Sequence, residues 1–371
     1  MKLINLSNQI GAGPSNISRI LIRDIAKRNL SVFFILTPEI AEWTKKQPFQ
    51  VKFISTGPAH YMGGLCRLLF VNFILIPFLL VTNSITGLIC FGNFLLIPTK
   101  VKTVVLMHHP YLVDDVLFVP LRGIRKISET LKRIFFGISL HNIDTLVVQS
   151  FYMKDLFKKK YDNFNGEVEV HQNPVSPVFK DCVKTPPCIK RKKQISTKIV
   201  LYPSRYYPHK NHFFLLDVAR NFKGSKRHND IEFVVTLNSS LSGVQNFLET
   251  VRNENLPIKN IGETSQTMLF QEYIKADLFF FPSMSETFGN PIIEAINFGI
   301  PLVLPELPYA RSLGHDAANY FDINSPSDAV SMIESLFEDN DFFIRSANAS
   351  FKLRHHTMDS RSWTDAFLKW S

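Results

Sequence analysis

The chain has 371 residues, 45% of them hydrophobic, which is enough for two domains with cores of their own. Its formal net charge of +10 and sequence pI near 9.3 indicate an anionic partner, such as nucleic acid, acidic lipid or a phosphorylated substrate. The four cysteines form no C-x-x-C pair and have no histidine at zinc spacing, which is typical of free thiols in a reducing compartment. The N-terminus has no cleavable apolar core, so we expect a cytoplasmic protein.

The first predicted elements are strands at residues 2–6, 31–37 and 50–55. A glycine-rich loop follows the first strand and leads into a helix. Gly11 and Gly13 in this loop are candidate ligand-binding residues, because a residue without a Cβ lets the backbone approach a ligand closely.

The most apolar stretch of the sequence lies at residues 68–81. At roughly fifteen residues it is shorter than the ~20 that span a bilayer, and Asn72 and Pro77 interrupt it. We therefore predict a core or membrane-facing helix here and not a transmembrane one. Residues 87–98 are predicted to form a buried strand and its exit.

A further strand, residues 102–111, ends on two adjacent histidines, His108 and His109. A histidine at a strand end is more often a packed, hydrogen-bonded residue than a catalytic one, so both interpretations stay open at this point. The basic stretch 122–133 has helical spacing and fits either a solvated helix face or a membrane-surface patch.

Two domains are expected on either side of a proline- and lysine-rich linker at 181–197. The predicted division is a first domain at 1–180, a second domain at 198–355 and a C-terminal helix at 356–371. The second domain opens with a strand at 199–202 and a loop that carries two cations, Arg205 and Lys210.

A strand–loop–helix–strand unit occupies residues 278–305. The strand ends at Pro282, the loop carries Glu286, and Asn290 is predicted to cap a helix that has Pro291 in its first position and ends at Gly299. Free N–H groups and the positive end of the helix dipole make such a helix start a good phosphate site.

Three features follow toward the C-terminus. Residues 325–337 are a predicted helix that Ser325 caps. The Asp339-Asn-Asp341 triplet is interpreted as a surface loop and not as a metal site. The helix at 360–370 is predicted to bury Trp363, Phe367 and Trp370.

The string S-E-T-F-G-N-P-I-I-E-A, with seven residues between Glu286 and Glu294, resembles the E-x7-E signature of family-4 retaining glycosyltransferases. The S-R-x-x-P-x-K-N pattern around Arg205 and Lys210 resembles a second motif of that family, with Ser204 where glycine is usual. The resemblance implies the α/β GT-B fold: two doubly wound Rossmann-like domains facing across a cleft, the C-terminal helix crossing back to the first domain.

The resemblance also implies a role for each candidate. Glu286, with the backbone amides of Phe288 and Gly289, addresses the donor sugar, and Glu294 holds the ribose hydroxyls. The implied donor-diphosphate site comprises Arg205, Lys210 and the helix start at Asn290. The implied acceptor side comprises His108, with His109 as the alternate, beside the loop of Gly11 and Gly13.

The expected reaction transfers a hexose with retention from a nucleotide diphosphate sugar to a hydroxyl of a saccharide, with no metal or other cofactor. The basic charge and the apolar stretch favour a lipid-linked acceptor in cell-surface polysaccharide (O-antigen-type) synthesis, with the protein peripheral on the inner face of the cytoplasmic membrane. No nucleic-acid partner is expected. Two rivals stay open: a GT-B sugar-nucleotide epimerase, and a basic non-catalytic protein that binds membranes or nucleic acid.

Overall fold

The computed structural model describes residues 1–180, 182–191, 197–223, 230–356 and 360–371. The chain divides into two compact units, Met1–Ser176 with Met358–Ser371, and Pro177–Thr357. The first unit thus ends four residues before the predicted boundary at 180. Part of the predicted linker, Pro187–Arg191, is a short helix in the second unit, while residues 181 and 192–196 lie outside the described residues.

Unit 1 contains a seven-stranded parallel sheet in the order β3-β2-β1-β4-β5-β6-β7. Its strands are β1 (Lys2–Asn5), β2 (Val32–Leu36), β3 (Lys52–Ser55), β4 (Gly87–Phe91), β5 (Lys102–Leu106), β6 (Thr145–Val148) and β7 (Glu167–Val170). β4, β5 and β6 are almost continuously apolar because both faces of the sheet are covered, as is usual in parallel sheets.

Helices cover the two faces of this sheet. They are α1 (Ala12–Lys27), α2 (Pro38–Lys45), α3 (Gly64–Phe70), α4 (Ile76–Thr82), α5 (Asp115–Phe118), α6 (Gly123–Leu140), α7 (Phe151–Lys160) and, from the C-terminal end of the chain, α16 (Ser360–Trp370). α1, α2 and α16 share one core with the sheet, and the segment Gly64–Thr82, α6 and α7 share the core on its other face. Trp363 and Phe367 of α16 are fully buried against Phe91, whereas Trp370 is only partly buried.

The predicted apolar helix is longer than the stretch that indicated it. α3, a π turn at Val71–Leu75 and α4 form one helical segment, Gly64–Thr82, of 19 residues. By length and composition alone this is the one candidate membrane span within the described residues, and a core helix would meet the same test. The π turn precedes Pro77, whose ring crowds the preceding turn and has no N–H to donate.

Unit 2 contains a six-stranded parallel sheet in the order β10-β9-β8-β11-β12-β13. Its strands are β8 (Lys198–Tyr202), β9 (Ile231–Val235), β10 (Ile258–Asn260), β11 (Leu278–Phe280), β12 (Leu302–Pro305) and β13 (Ala318–Phe321). Its helices are α8 (Pro187–Arg191), α9 (His212–Lys223), α10 (Ser242–Asn253), α11 (Gln266–Lys275), α12 (Asn290–Phe298), α13 (Pro308–Gly314), α14 (Pro326–Glu338) and α15 (Asn340–Leu353).

The structure corrects three local predictions. The Asp339–Asp341 triplet is not a surface loop: Asp339 caps α15, and its side chain accepts hydrogen bonds from the amides of Asp341 and Phe342. Asn290 is the first residue of α12, and Gly289 precedes it as the cap. Gly13 lies in the first turn of α1 and not in the loop. By contrast, the cap at Ser325 is confirmed, with its hydroxyl accepting from the Asp328 amide.

Candidate functional site

The order of the strands in unit 2 places the candidate donor site. From β8 the chain proceeds outward to β9 and β10, and from the adjacent β11 it proceeds in the opposite direction to β12 and β13. The loops that follow β8 and β11 therefore diverge at the carboxyl edge of the sheet, where open α/β sheets bind ligands. Arg205 and Lys210 lie in the first of these loops, and Glu286, Phe288 and Gly289 in the second.

Lys210 and Glu286 form a buried ion pair between these two loops. The Lys210 ammonium contacts Glu286 Oε1, and the two side chains are only 12% and 9% exposed. Ser283 Oγ donates a second hydrogen bond to the same oxygen, at 2.6 Å. Within the described residues, Glu286 Oε2 accepts no hydrogen bond. The pair thus fixes the position of a cation and leaves one carboxylate oxygen for a ligand.

Backbone contacts hold the two loops together around this pair. The His209 carbonyl accepts from the Met284 amide at 2.7 Å and lies 3.2 Å from Ser283 Oγ. The Tyr202 hydroxyl donates to the Lys210 carbonyl, and the Tyr309 hydroxyl donates to the Ser283 carbonyl at 2.5 Å. A side chain supported in this way loses little further freedom when a ligand binds.

Arg205 does not lie in the same cluster as Lys210. Its guanidinium pairs with Glu263 at 3.4 Å, and both side chains are more than 40% exposed. Glu263 in turn accepts from Asn238 Nδ2 at 3.2 Å. The structure therefore brings one of the two predicted cations to the buried pair and places the other on the rim, among residues that follow β9 and β10.

The start of α12 presents unbonded amides. Gly289 has φ 76°, and a Cβ on it would lie 2.9 Å from Leu313 Cδ1, so both conformation and space favour glycine. Phe288 is buried. Neither the Phe288 nor the Gly289 amide donates a hydrogen bond to a described residue. These amides are available to an anion, together with the positive end of the helix dipole.

Glu294 lies one turn into α12 and bonds to a tyrosine from a different helix. The Tyr273 hydroxyl of α11 donates to Glu294 Oε2 at 2.7 Å. Burial raises the pKa of Glu294 to about 7, and the hydrogen bond from Tyr273 opposes this shift only in part. Glu294 therefore changes protonation near neutral pH, which is unusual for a carboxyl group.

In unit 1 the two histidines lie just beyond β5, which ends at Leu106, earlier than predicted. Asn93 Oδ1 accepts from both of their backbone amides, at 2.8 Å from His108 and 3.2 Å from His109. His108 Nδ1 is buried and makes no hydrogen bond within the described chain. Burial, reinforced by the charge of His109, lowers the pKa of His108 to about 4, so its ring is neutral at pH 7.

The His109 ring is already held by α6. Its Nε2 lies 2.7 Å from Oε2 of the buried Glu129, and Lys132 Nζ lies 2.7 Å from the other oxygen. Burial opposes ionisation of Glu129, but these two partners lower its pKa to about 2. His108 Nδ1 is thus a buried ring nitrogen without a partner among the described residues, whereas Glu129 already holds His109 through Nε2. Gly11 is the cap of α1, at φ 93°.

Several residues of the site were not predicted from the sequence. They are Ser283 and Tyr273, which bond to the two glutamates, Asn93 and Glu129, which hold the histidine loop, and Glu263, which pairs with Arg205. Only Ser283, three residues before Glu286, lay close enough to a motif to be noticed. Nowhere in the described ranges do three or more His, Cys, Asp or Glu side chains form a metal-binding group.

The comparisons with known proteins agree with this fold. Residues 189–352 match the family model described as glycosyl transferases group 1. A curated relative, the serotype-specific mannosyltransferase WbdA of Escherichia coli, is 30% identical over 79 residues, which cover 20% of this chain and only 10% of that protein. The predicted resemblance to a glycosyltransferase family is thus confirmed, and the family match covers the part of the chain that carries Arg205, Lys210 and the two glutamates.

Solved structures extend the similarity to the whole chain. A sucrose-phosphate synthase from Thermosynechococcus elongatus has a TM-score of 0.75 at 12% identity, covering 100% of this chain and 98% of that one. WaaG, a glycosyltransferase involved in lipopolysaccharide biosynthesis, has a TM-score of 0.74 at 13% identity, covering 99% and 98%. HepE of Anabaena, in complex with UDP and glucose, has a TM-score of 0.69 at 14% identity, covering 100% and 98%. At these identities the similarity concerns the fold, which is the predicted GT-B fold.

Proposed function

We propose that the protein is a retaining glycosyltransferase that moves a hexose from a nucleotide diphosphate sugar to a hydroxyl of a saccharide acceptor. The observation that carries this proposal is the buried Lys210–Glu286 pair beside the unbonded amides of Phe288 and Gly289. Transfer from a nucleotide sugar releases a diphosphate, and fixed donors aimed at the developing charge lower the barrier for its departure.

On the donor side, Lys210 has three N–H donors and uses one on Glu286, so it can donate to a phosphate while it stays paired. Arg205 on the rim adds a second cation, and the start of α12 adds the helix dipole. Glu286 Oε2 addresses the sugar hydroxyls, and Glu294 holds the ribose. With two cations and a helix start on the diphosphate, the proposed reaction uses no metal or other cofactor.

For the chemical step, the acceptor hydroxyl attacks on the same face from which the diphosphate leaves, so the configuration at the sugar is retained without a protein nucleophile. His108 is proposed on the acceptor side, since its ring is neutral and Nδ1 has no partner within the described chain. Gly11 and Gly13 adjoin the acceptor, and His109 positions the loop through Glu129.

The proposed pathway is assembly of a cell-surface polysaccharide. The similarity to a serotype-specific mannosyltransferase, and to a glycosyltransferase involved in lipopolysaccharide biosynthesis, supports it. The acceptor is then a lipid-linked saccharide, and the protein works at the cytoplasmic face of a membrane.

An apolar surface on unit 1 supports the membrane part of the proposal. Every third or fourth residue along α6 is an exposed aliphatic side chain, from 47% to 87% exposed: Ile124, Ile127, Leu131, Ile134 and Ile138. The segment Gly64–Thr82 exposes a second row: Leu65, Leu69, Phe73, Ile74, Phe78 and Val81. We call these two rows together the apolar surface.

The two rows belong to neighbouring helices on one face of the sheet. Asn72 Oδ1 accepts from the Leu96 amide at 2.8 Å, while Ser139 Oγ donates to the adjacent Leu95 carbonyl at 3.0 Å. The inner sides of both helices contribute to the same core, so their exposed rows face outward together. Apolar area of this extent marks an interaction surface.

The charges on α6 favour an anionic lipid surface over a second copy of the chain. Four basic residues in the helix, Arg125, Lys126, Lys132 and Arg133, and a fifth at its cap, Arg122, are accompanied by one acid, Glu129, whose side chain is buried. Two such helices would repel each other, whereas each basic residue near an anionic membrane contributes about 1 kcal/mol of attraction.

A screen of nucleotide sugars tests the catalytic proposal. We expect one nucleoside diphosphate and its sugar conjugates to raise the melting temperature, and Arg205→Ala to weaken that binding by about 2–4 kcal/mol in calorimetry. Transfer of labelled sugar to a membrane extract should require Glu286. Stabilisation only by RNA or DNA, weakened by salt, would favour the binding-protein rival, and interconversion of the donor without an acceptor would favour the epimerase.

A further inference from the structure

A buried arginine in unit 1 has no acidic partner. Arg67 of α3 is 8% exposed, its Nε donates to Asn8 Oδ1 at 3.2 Å, and one terminal nitrogen donates to the His60 carbonyl at 3.4 Å. No carboxylate of the described chain lies within ion-pair distance of it. Burial lowers the pKa of Arg67, and no neighbouring acid counteracts this.

This arrangement is costly unless an anion binds there. A buried guanidinium pays a desolvation penalty that two neutral acceptors offset only in part. Elsewhere in the protein, cations of comparable burial are paired, as Lys210 is with Glu286 and Arg133 with Asp115. An unpaired buried cation therefore points to an anionic ligand.

The position of Arg67 is that of a ligand site. The strand order of unit 1 changes direction between β1 and β4, so the loops after these strands diverge at the carboxyl edge of the sheet. Asn8, which holds Arg67, lies in the loop after β1. A Cβ on Gly92, the residue after β4, would come within 2.8 Å of Asn8. Arg67 is thus anchored where these two loops meet.

The turn Gly57–His60, whose His60 carbonyl accepts from Arg67, and its cap residue Thr56 carry further unsatisfied polar atoms. Thr56 Oγ1 and His60 Nδ1, both buried, have no hydrogen-bond partner among the described residues. Exposed apolar side chains, here called the apolar rim, are close in sequence to Arg67 and to Asn8: Tyr61, Met62 and Leu65 precede Arg67, and Ile10 follows Asn8. Leu65 also begins one row of the apolar surface. A ligand that fits carries an anionic group for Arg67 and an apolar portion for the rim.

We propose that Arg67, held by Asn8, binds the phosphate group of the sugar acceptor. The proposal rests on the function proposed above and names the class of acceptor: a phosphate ester whose apolar chain leaves along the segment Gly64–Thr82. Arg67 supplies the bidentate N–H geometry that phosphate prefers.

Calorimetry with octyl phosphate, below its micellar concentration, tests the site directly. We expect the wild type to bind it, and Arg67→Met to lose affinity by about thirtyfold or more, the range for truncating a buried charged contact. Arg23→Met, an exposed arginine on α1 outside the site, is the matched control and should bind as the wild type does. Wild-type affinity in Arg67→Met would overturn the proposal.

Asn8→Asp separates binding from a merely structural role. The substitution places a carboxylate where Asn8 Oδ1 already accepts from Arg67, so the guanidinium acquires an internal counterion. We expect equal or higher thermal stability together with loss of octyl phosphate binding. If Asn8→Asp stabilised the protein and bound octyl phosphate normally, Arg67 would be a structural arginine and the proposal would be wrong.

Two further probes identify the source of the phosphate, and a third ligand keeps the two proposals apart. Weaker, Arg67-dependent binding of inorganic phosphate, with no binding of octyl glucoside, assigns the site to a phosphate that carries an apolar chain. Equal affinities for inorganic phosphate and octyl phosphate would assign the site to phosphate alone. Nucleoside diphosphate binding should be lost in Arg205→Ala and kept in Arg67→Met. If octyl phosphate binding were lost in Arg205→Ala and kept in Arg67→Met, octyl phosphate would bind in the donor site and the proposal would be overturned.

Discussion

Replacing Lys210 with methionine removes one charge from the buried pair and keeps most of the side-chain volume. In the wild type the ammonium contacts Glu286 Oε1 and lies 5.0 Å from the centroid of the Phe281 ring. The variant leaves the Glu286 carboxylate with the Ser283 hydroxyl as its remaining partner among the described residues, in a position only 9% exposed. The expected consequence is a loss of stability in unit 2.

The size of the loss follows from the burial of the pair. At a separation of ~3 Å and an effective dielectric of 20, the gross attraction of two unit charges is about 5 kcal/mol. Breaking a buried pair by removing one partner costs about 3–5 kcal/mol, because a charge stays buried without compensation. We expect Lys210→Met to lower the free energy of unfolding by about 3 kcal/mol. Glu286→Gln, which strands the ammonium, should do likewise.

The assay must report on unit 2. All three tryptophans, Trp43, Trp363 and Trp370, lie in unit 1, so tryptophan fluorescence reports the unfolding of unit 1 and not of unit 2. Urea unfolding followed by far-UV circular dichroism, with hydrogen exchange of peptides from the 278–298 region, measures the relevant transition. The double variant Lys210→Met/Glu286→Gln should lose about 2 kcal/mol less than the sum of the two single changes.

Lys275→Met provides the matched control. Lys275 pairs with Glu272 at 2.7 Å on helix α11 of the same unit, but the lysine side chain is 54% exposed. Its removal should cost about 0.5 kcal/mol at most. If Lys210→Met cost no more than Lys275→Met, the pair would behave as a surface contact, and the view of Glu286 as a carboxylate fixed by Lys210 would be refuted.

Three further predictions concern the donor and the membrane. Because the pKa of Glu294 is raised from 4.5 to about 7, the folded state binds more protons than the unfolded state between these pH values. The free energy of unfolding should therefore fall by about 2–3 kcal/mol as pH rises from 4.5 to 7. Glu294→Gln should abolish this contribution in pH-dependent urea titrations. At saturating donor, Glu286→Gln should lower turnover more than donor affinity and Glu294→Gln the reverse, with normal turnover in both refuting the E-x7-E assignment. In vesicle flotation, Ile127→Glu should reduce binding to anionic vesicles severalfold. The control Leu241→Glu, at an exposed apolar position in unit 2, should leave binding unchanged. Equal vesicle binding by the two variants would exclude α6 from the membrane contact.

The order of strands and helices was largely predictable because the parallel strands of this protein are short apolar runs bounded by turns. The strands at residues 31–37, 50–55 and 199–202 were found with small errors at their ends. β7 was not predicted. It is a four-residue edge strand, Glu167–Val170, with alternating charge, and its half-exposed position leaves no apolar run to recognise.

Errors at helix starts arose from a choice that local sequence does not determine. Asn290 is a good cap by type, but Gly289 adopts the left-handed conformation and takes the cap position instead. Asp339 follows the end of α14, and two acids around an asparagine fit a loop equally well. Only the hydrogen bonds that its side chain accepts from the backbone amides of Asp341 and Phe342 identify Asp339 as a cap. The competing conformations differ by about 1 kcal/mol, which tertiary packing easily outweighs.

The site was predictable where its residues follow the carboxyl ends of strands, and not where they come from distant helices. Glu286 and Lys210 could be placed in one region because adjacent parallel strands end at the same edge. The partners of Glu294 and His109 could not: Tyr273 precedes Glu294 by 21 residues on another helix, and Glu129 follows His109 by 20. Nor does the sequence distinguish Arg67 from the other cations, because its lack of an acidic partner exists only in the folded chain.

α6 connects the proposed membrane contact to the proposed acceptor site. Its outer row of aliphatic side chains faces away from the core, while its inner side holds the loop after β5: Glu129 bonds to His109, and Arg133 Nε donates to the Tyr111 carbonyl at 2.7 Å. A lipid surface that binds the outer row therefore fixes the helix on which the histidine loop depends. The two proposals together predict that membrane binding and acceptor use are coupled, since the same helix of 18 residues serves both.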